Sequence, residues 1–160
     1  NNIANWTVNG GAGAYSFINN GDLDATVSGK TYFANGMNIS GMNANTNKFD
    51  LTTGQLVFGT NSSLINHLNS FVLNVTNGDL DVDSVINQSG ATMDIDVSGD
   101  FVADNIINDG NVLDIDAQNI QIFDADMEKV VQYINSHKDY QITIATDYSE
   151  RVKEVLLLIM

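Results

Sequence analysis

The 160-residue chain contains no cysteine and no proline. Without cysteine it has no disulfide framework and no thiolate chemistry. The absence of proline is compatible with long runs of paired strands, because each proline would remove a hydrogen-bond donor from the ladder. There is also no run of eighteen apolar residues, so we expect no membrane insertion. The first ten residues lack the basic start and apolar core of a signal peptide, and an exported protein with this sequence would be an internal piece of a longer polypeptide.

Basic residues are scarce. Six Lys and Arg stand against twenty Asp and Glu, which gives a net charge of −14. Nucleic acids and anionic membranes would be repelled by this charge, and we exclude both as partners. Through Asp126 the only basic residues are Lys30 and Lys48, whereas four of the six lie in the last 34 residues. This change in composition near Phe123 to Met127 predicts two regions, 1–126 and 127–160.

The first region is an internal repeat. Val85–Asn87 (VIN) recurs 21 residues later as Ile106–Asn108 (IIN), and Met93–Asp96 (MDID) recurs 20 residues later as Leu113–Asp116 (LDID). The section from Met37 to Asn69 fits this period poorly. A period of 20 to 50 residues is the signature of solenoids and other repeat architectures.

Within each repeat, apolar and polar residues alternate, which predicts strands with one buried face. A unit of about 20 residues cannot bury that face alone, but stacked units can, each strand pairing in parallel with its copy. We therefore predict an all-β fold, a parallel β-helix of roughly six rungs of about 20–21 residues from Asn1 to Asp126. The alternative is an antiparallel sandwich, but its strands would have no reason to resemble one another. The predicted core comprises Leu23, Ala25, Phe71, Leu73, Val75, Leu80, Val82, Met93, Ile95, Val97, Leu113, Ile115, Ile120 and Ile122.

The alternation breaks at three places where small or amide residues occur: Ser28-Gly29, Ser98-Gly99 and Gln118-Asn119. Such residues tolerate unusual backbone conformations. The breaks predict corners at which the chain turns while its apolar side stays inside.

The last 34 residues read as a short α/β segment. Met127–Ile134 has helical spacing of its apolar residues, and Tyr140–Ala145 alternates as a strand does. Asp147 followed by Glu150 resembles a helix start, with the helix continuing towards Met160. The open end of a solenoid needs a cover, so 127–160 is a candidate cap. The alternatives are that it begins a following domain or that it interrupts a solenoid that resumes downstream.

Three phrases in the repeat carry a family resemblance: INNGDLDATVSG, INQSGATMDIDVSGDFVADNIINDG and GNVLDIDAQNIQI. They resemble the haemagglutinin repeats of filamentous haemagglutinin-type exoproteins, the bacterial two-partner-secretion adhesins and contact-dependent inhibition proteins. The resemblance covers Phe71–Ile122 well and Phe17–Met42 moderately. It implies a right-handed parallel β-helix, export to the cell surface or medium, and adhesion or presentation of a distal effector.

The acidic positions of the repeat are the candidate metal ligands. Copies in adjacent rungs would place like charges side by side, which is unfavourable and is relieved by a hard cation such as Ca²⁺. The alternative is a solvated acidic face that keeps the protein soluble. The residues concerned are Asp81, Asp83, Asp94, Asp96, Asp114 and Asp116.

No catalytic constellation is visible, and no cofactor is expected. A β-helix polysaccharide lyase would need Lys or Arg beside its carboxylates, and only Lys30 and Lys48 are available in the repeat. The missing constellation argues against catalysis, and the resemblance implies an exported adhesin. Together they lead us to expect a non-catalytic segment of a secreted or surface-bound bacterial adhesin, whose partner is a receptor or glycan on a host or neighbouring cell. The alternatives are a carbohydrate-active β-helix enzyme and a stalk that carries a receptor-binding or effector segment at 127–160.

Overall fold

A computed structural model describes residues 2–9, 15–125 and 141–144 of the chain. These residues contain strands and turns but no helix, and hence no helix of the length and apolarity that crossing a membrane would require. The strands are β1 (Asn2–Ile3), β2 (Trp6–Val8), β3 (Tyr15–Asn19), β4 (Leu23–Phe33), β5 (Gly36–Ile39), β6 (Phe49–Phe58), β7 (Ser63–Asn66), β8 (Phe71–Val75), β9 (Leu80–Asn87), β10 (Thr92–Val97), β11 (Asp100–Asn108), β12 (Val112–Asp116), β13 (Asn119–Ala125) and β14 (Gln141–Ile144).

The strands alternate between two parallel sheets. Sheet A has the order β1-β4-β6-β8-β10-β12, with β2 also paired to β4, and sheet B has the order β14-β13-β11-β9-β7-β5-β3. Each strand from β4 to β13 thus pairs with strands that lie one turn away along the chain, not with its neighbour in sequence. This is the predicted parallel β-solenoid, with about five turns where the sequence predicted six.

The register confirms the repeat. Met93 pairs with Leu113, and Val85 pairs with Ile106, as the 20- and 21-residue copies require. Residues in register lie on the same side of a sheet, so in these pairs an apolar residue of one rung stacks on an apolar residue of the next. The sandwich alternative is excluded by the parallel pairing.

The interior is the predicted core, extended by six large residues of the poorly repeating section and by two phenylalanines outside it. Twelve of the fourteen predicted core residues are buried, and Leu23 and Leu113 are partly buried against them. Phe49 and Phe71 stack at 4.8 Å between ring centroids, which is the spacing of neighbouring strands. The additional large core side chains are Phe33, Met37, Ile39, Phe49, Leu51, Leu64, Leu68 and Phe101.

Two of the three predicted corners are confirmed. Ser98-Gly99 and Gln118-Asn119 separate a strand of sheet A from a strand of sheet B. At Ser28-Gly29 the chain does not change sheet: β4 runs through these residues within sheet A, and its ladder with β6 shifts register there. The shift brings backbones very close: a Cβ on Gly54 would lie 2.5 Å from the Gly29 carbonyl oxygen. Gly54 is therefore required by contact and not by a turn.

An asparagine ladder crosses the interior beside sheet B. Asn66 and Asn87 are fully buried and lie in register with Asn108 at the ends of successive strands. The Asn66 side-chain amide donates to Asn87 Oδ1 at 3.0 Å, and the Asn87 amide donates to Asn108 Oδ1 at 3.0 Å. Asn87 also donates to the backbone carbonyl of Val112 at 2.7 Å. Buried amides are costly unless paired, and this ladder pairs each one with its own copy.

The poorly repeating section contains an inserted loop. Leu23 pairs with Phe49, which lies 26 residues later in the chain, whereas Phe49 pairs with Phe71, which lies only 22 residues later. The extra residues form turns at 42–46, where Met42 is 98% exposed. The Lys48 backbone N–H donates to Asp22 Oδ1 at 2.9 Å and fixes the end of the loop.

The C-terminal strand extends the solenoid. The predicted strand Tyr140–Ala145 is found as β14, which pairs in parallel with Asn119–Ile122 of β13. Sheet B thus continues past the predicted boundary at Asp126. The predicted helices at 127–134 and 147–160 lie outside the described residues.

Replacing Asn87 tests the asparagine ladder. In Asn87→Ala the buried amide of Asn66 and the Val112 carbonyl lose a partner, and we expect the free energy of unfolding to fall by about 3 kcal/mol. Asn74 is the matched control, because it lies on the outer face and its amide makes a single 3.3 Å hydrogen bond to Thr52 Oγ1. We expect Asn74→Ala to cost less than about 1 kcal/mol in the same urea titration. Equal losses in both variants would contradict a special role for the ladder.

Candidate functional site

The outer face of sheet A carries the predicted acidic columns. Asp94 pairs in register with Asp114, and Asp96 pairs with Asp116, so four carboxylates lie side by side on β10 and β12. Towards the N-terminus the first column continues through Val72, Asp50 and Asp24, and the second through Asn74, Thr52 and Thr26. The carboxylates are therefore concentrated at the two ends of one face.

Burial and the neighbouring carboxylates change the titration of Asp94 and Asp96. Burial, followed by the charges of Asp96, Asp114 and Asp116, raises the pKa of Asp94 above its ordinary value. Burial and the charges of Asp116 and Asp114 likewise raise the pKa of Asp96. Ionised Asp94 and Asp96 are therefore less favourable in the folded chain than in the unfolded chain.

The six predicted metal-site residues fall into two groups. Asp94, Asp96, Asp114 and Asp116 lie together, as predicted. Asp81 and Asp83 do not join them, because β9 belongs to sheet B and the ladder partner of Asp81 is Val102. We predicted that all six lie together because the phrases LDVD, MDID and LDID look alike. LDVD, however, begins a strand of sheet B, whereas MDID and LDID lie in strands of sheet A.

The described residues do not form a ready-made metal site. Within 2–9, 15–125 and 141–144, no group of three or more His, Asp or Glu side chains is arranged to hold an ion. Carboxylates in register along a parallel sheet point outward side by side, whereas Ca²⁺ requires six to eight oxygen atoms that surround it. Calcium binding by the four clustered residues stays a prediction from the sequence.

A second feature, a cleft, interrupts the stack between the rungs of β6 and β9. The backbone N–H groups of Thr76 and Asn77 donate to the carbonyl oxygens of Thr53 and Gly54. Beyond these residues the backbone pairing between the two rungs stops. It resumes where the Asp83 N–H donates to Ser62 Oγ at 2.6 Å and the Ser62 N–H donates to Asp83 Oδ2 at 3.2 Å. Between these points no ladder joins Gln55–Phe58 to Leu80–Val82 among the described strands.

The cleft has a volume of about 390 Å³ and two unlike walls. One wall is the strand edge from Leu56 to Ser62, and an edge presents backbone N–H and C=O groups to solvent. The other wall carries Asp79, Asp81 and Asp83. Asp79 is anchored, because its Oδ1 accepts a 2.9 Å hydrogen bond from the Asp100 backbone N–H.

A second depression is a groove of about 660 Å³ on sheet A that includes Asp96, Asp116, Asn74 and Thr52. No Lys, Arg or His is among the residues that line either depression. Lys30 lies in register with Gln55, outside the cleft lining, and Lys48 is exposed beside the inserted loop. The arrangement that a lyase needs, a carboxylate beside a cation, is not found in the described lining.

The cleft was not predicted, although the sequence contains a signal for it. Met37–Asn69 fits the period poorly, and this section contains both the inserted loop and one wall of the cleft. A loss of period marks the place where rungs stop matching. It does not tell whether the chain bulges outward, as at Met42, or separates from the next rung, as at Val57.

Comparisons of the chain with family models, with curated proteins and with solved structures find no match.

The clustered carboxylates predict an unusual pH dependence. A raised pKa in the folded chain means that stability is fully present below the ordinary value of 3.8 and is lost as the pH rises through the raised value. At pH 7 we expect Asp94→Asn to melt about 1–3 °C above the wild type, whereas below pH 3.8 the two should melt together. Asp81→Asn removes one charge elsewhere and is the control. A gain for Asp94→Asn that is equally large at low pH would contradict this explanation.

The effect of Ca²⁺ on the melting midpoint can be separated from that of ionic strength. The protein is melted in about 5 mM CaCl₂ and, for comparison, in EDTA with NaCl of equal ionic strength. We expect equal midpoints, because no three ligands converge in the described residues. A midpoint that rises only with Ca²⁺, and no longer rises in Asp94→Asn, would instead establish the metal site predicted from the sequence.

Proposed function

We propose that this chain is a non-catalytic rod segment of a secreted or surface-bound bacterial adhesin. The observation that carries the proposal is the in-register parallel stack built from phrases that resemble haemagglutinin repeats. A stack of this kind supplies length and regular outer faces, and apolar side chains fill its interior over the part of the chain that the structure describes. Its partner would be a receptor or glycan on a host or neighbouring cell.

The charge distribution supports a binding role of a particular kind. With two lysines against fifteen aspartates before residue 127, the rod does not adhere to anionic surfaces by charge. On an anionic surface, contact would come from hydrogen bonds and local packing instead. The exposed inserted loop with Met42 and the cleft beside Asp81 are the irregular features of the described rod, and irregular loops on a rigid scaffold commonly carry binding residues.

A carbohydrate-active enzyme is the second candidate function, and the cleft is the observation that favours it. Glycoside hydrolysis uses a pair of carboxyl groups, and Asp79, Asp81 and Asp83 line one wall. The absence of a lining cation makes hydrolysis the more fitting chemistry than elimination. The third reading, a stalk with an effector segment at 127–160, concerns residues outside the described ranges.

Adhesion can be tested with beads that carry the purified chain, incubated with epithelial cells and with other bacteria. We expect the beads to bind at least one cell type in moderate salt, with Ile115→Asp as the unfolded control, because Ile115 is fully buried in the core. Beads that bind neither cell type, or that bind equally with either protein, would contradict the proposal.

The same preparation distinguishes the enzyme alternative. The protein is incubated with neutral and acidic polysaccharides, and reducing ends and unsaturated products are measured. We expect neither to appear. Release of reducing ends that is lost in Asp81→Asn, at unchanged melting temperature, would favour a hydrolase in the cleft.

A further inference from the structure

The cleft is bounded by two strand segments that each lack a described partner on one side. Gln55–Phe58 of β6 pairs with Lys30–Phe33 of β4, and no described strand pairs with its other side. Leu80–Val82 of β9 pairs with Phe101–Ala103 of β11, and its other side is likewise without a described strand. The first segment belongs to sheet A and the second to sheet B, and no ladder joins them. Each segment is therefore an edge inside the stack, where every other rung from β4 to β13 is paired on both sides along its strands.

The edge of β6 has the length and the exposure that an added strand requires. Its four residues, Gln55–Phe58, span about 13 Å at 3.3 Å per residue. The Gln55 side chain is exposed and Val57 is 36% exposed, whereas Leu56 between them is buried in the core. A neighbouring strand would thus find backbone N–H and C=O groups along its length and an exposed aliphatic side chain on the outer face.

The opposite wall selects the charge of an occupant. Asp79, Asp81 and Asp83 line it, and no cation is among the lining residues. Asp79 and Asp83 are held in place by hydrogen bonds from the backbone N–H groups of Asp100 and Ser62, and Asp81 is exposed. Among the described residues these carboxylates are not arranged to hold a metal ion. The groups that complement them are the ammonium and guanidinium groups of Lys and Arg, which form charge-assisted hydrogen bonds with carboxylates.

We propose that the cleft binds an extended polypeptide segment that carries Lys or Arg and adds as a strand to the Gln55–Phe58 edge. The backbone of the segment pairs with the edge, and its basic side chains reach across the cleft to Asp81 and its two neighbours. In strand addition of this kind the main-chain hydrogen bonds supply affinity and the side chains supply specificity. The cleft volume of about 390 Å³ lies within the range of about 300–1,000 Å³ that is usual for ligand sites.

A second copy of this chain does not have the charge that the cleft requires. The last described strand of sheet A is β12, and its free edge carries Asp114 and Asp116. Adding that strand to the β6 edge would bring its carboxylates towards those of the acidic wall, which is unfavourable. A partner with basic side chains gains from the same wall, and it is drawn to a chain whose net charge is −14.

The inference names a partner class for the binding role proposed above, and it rests on that role only for where the partner occurs. Binding to the purified full chain is measured without cells. Beads that fail to adhere to cells would therefore contradict the adhesin and leave peptide binding in place. A peptide that fails to bind would contradict strand addition and leave adhesion through another surface in place.

Fluorescence anisotropy of a short dye-labelled peptide that alternates lysine and valine tests the proposal. We expect half-saturation at or below about 1 mM protein, since a single short edge supplies few hydrogen bonds. The first control is the same peptide with methylated backbone nitrogens, which keeps the charge and removes the donors. We expect it to bind at least tenfold more weakly. The second control alternates glutamate and valine, and we expect no binding at the same protein concentration.

Matched variants separate the cleft from the rest of the acidic surface. Asp81→Asn and Asp94→Asn each remove one carboxylate, but Asp94 lies on the outer face of sheet A, outside the cleft. We expect Asp81→Asn to weaken binding about threefold, as loss of an exposed ion pair does, and Asp94→Asn to leave it unchanged. We also expect added salt to weaken binding to the wild type, because part of the attraction is between charges. Thermal melts establish that each variant is folded.

Four outcomes would overturn the proposal. They are no binding up to about 1 mM protein, equal binding of the methylated peptide, equal binding of the glutamate peptide, and equal weakening by the two variants. The second would mean that charge alone attracts the peptide, and the fourth that the peptide adheres to the acidic surface in general. If Asp81→Asn fails to fold, the comparison of the three peptides on the wild type still decides whether the edge and the charge are both used.

Discussion

Parallel pairing in register is the constraint on which the rest of this structure depends. It sets each side chain beside its own counterpart one turn away, at about the 4.8 Å strand spacing. Inside, that rule is favourable for apolar residues, and the stacked rings of Phe49 and Phe71 are its direct product. A buried amide is acceptable for the same reason, since an asparagine can donate to the asparagine of the next rung, as Asn66 does to Asn87.

Outside, the same rule works against charge. A carboxylate in one rung is placed next to the carboxylate of the next, and Asp94 beside Asp114 is the result. The cost is offset by the rest of the fold, and an acidic surface opposes the sheet-to-sheet aggregation to which solenoids are prone. The distribution of charge over the outer faces is therefore also a distribution of places where another molecule can approach.

Much of the fold could be predicted from the sequence, because the repeat reports the register directly. The pairs Val85 with Ile106 and Met93 with Leu113 follow from matching phrases, and the core follows from their alternation. The asparagine ladder was also visible as VIN and IIN, but an asparagine beside a turn reads as turn chemistry, and only the fold shows that Asn87 points inward. The position of Asp81 could not be predicted, because similar phrases occur in both sheets. The cleft could not be predicted either, because it arises where two rungs fail to match.

The interrupted ladder beside Val57 gives the rod a mechanical property. In a solenoid the hydrogen bonds between strands run along the axis, so they bear any tension applied to the ends. Between the rungs of β6 and β9 that load falls on the two stretches that remain paired, Phe49–Thr53 with Phe71–Val75 and Ser63–Asn66 with Ser84–Asn87. The unpaired side stretches before the paired sides do. A pull on the rod therefore bends it at this rung and widens the cleft, which couples the shape of that wall to force.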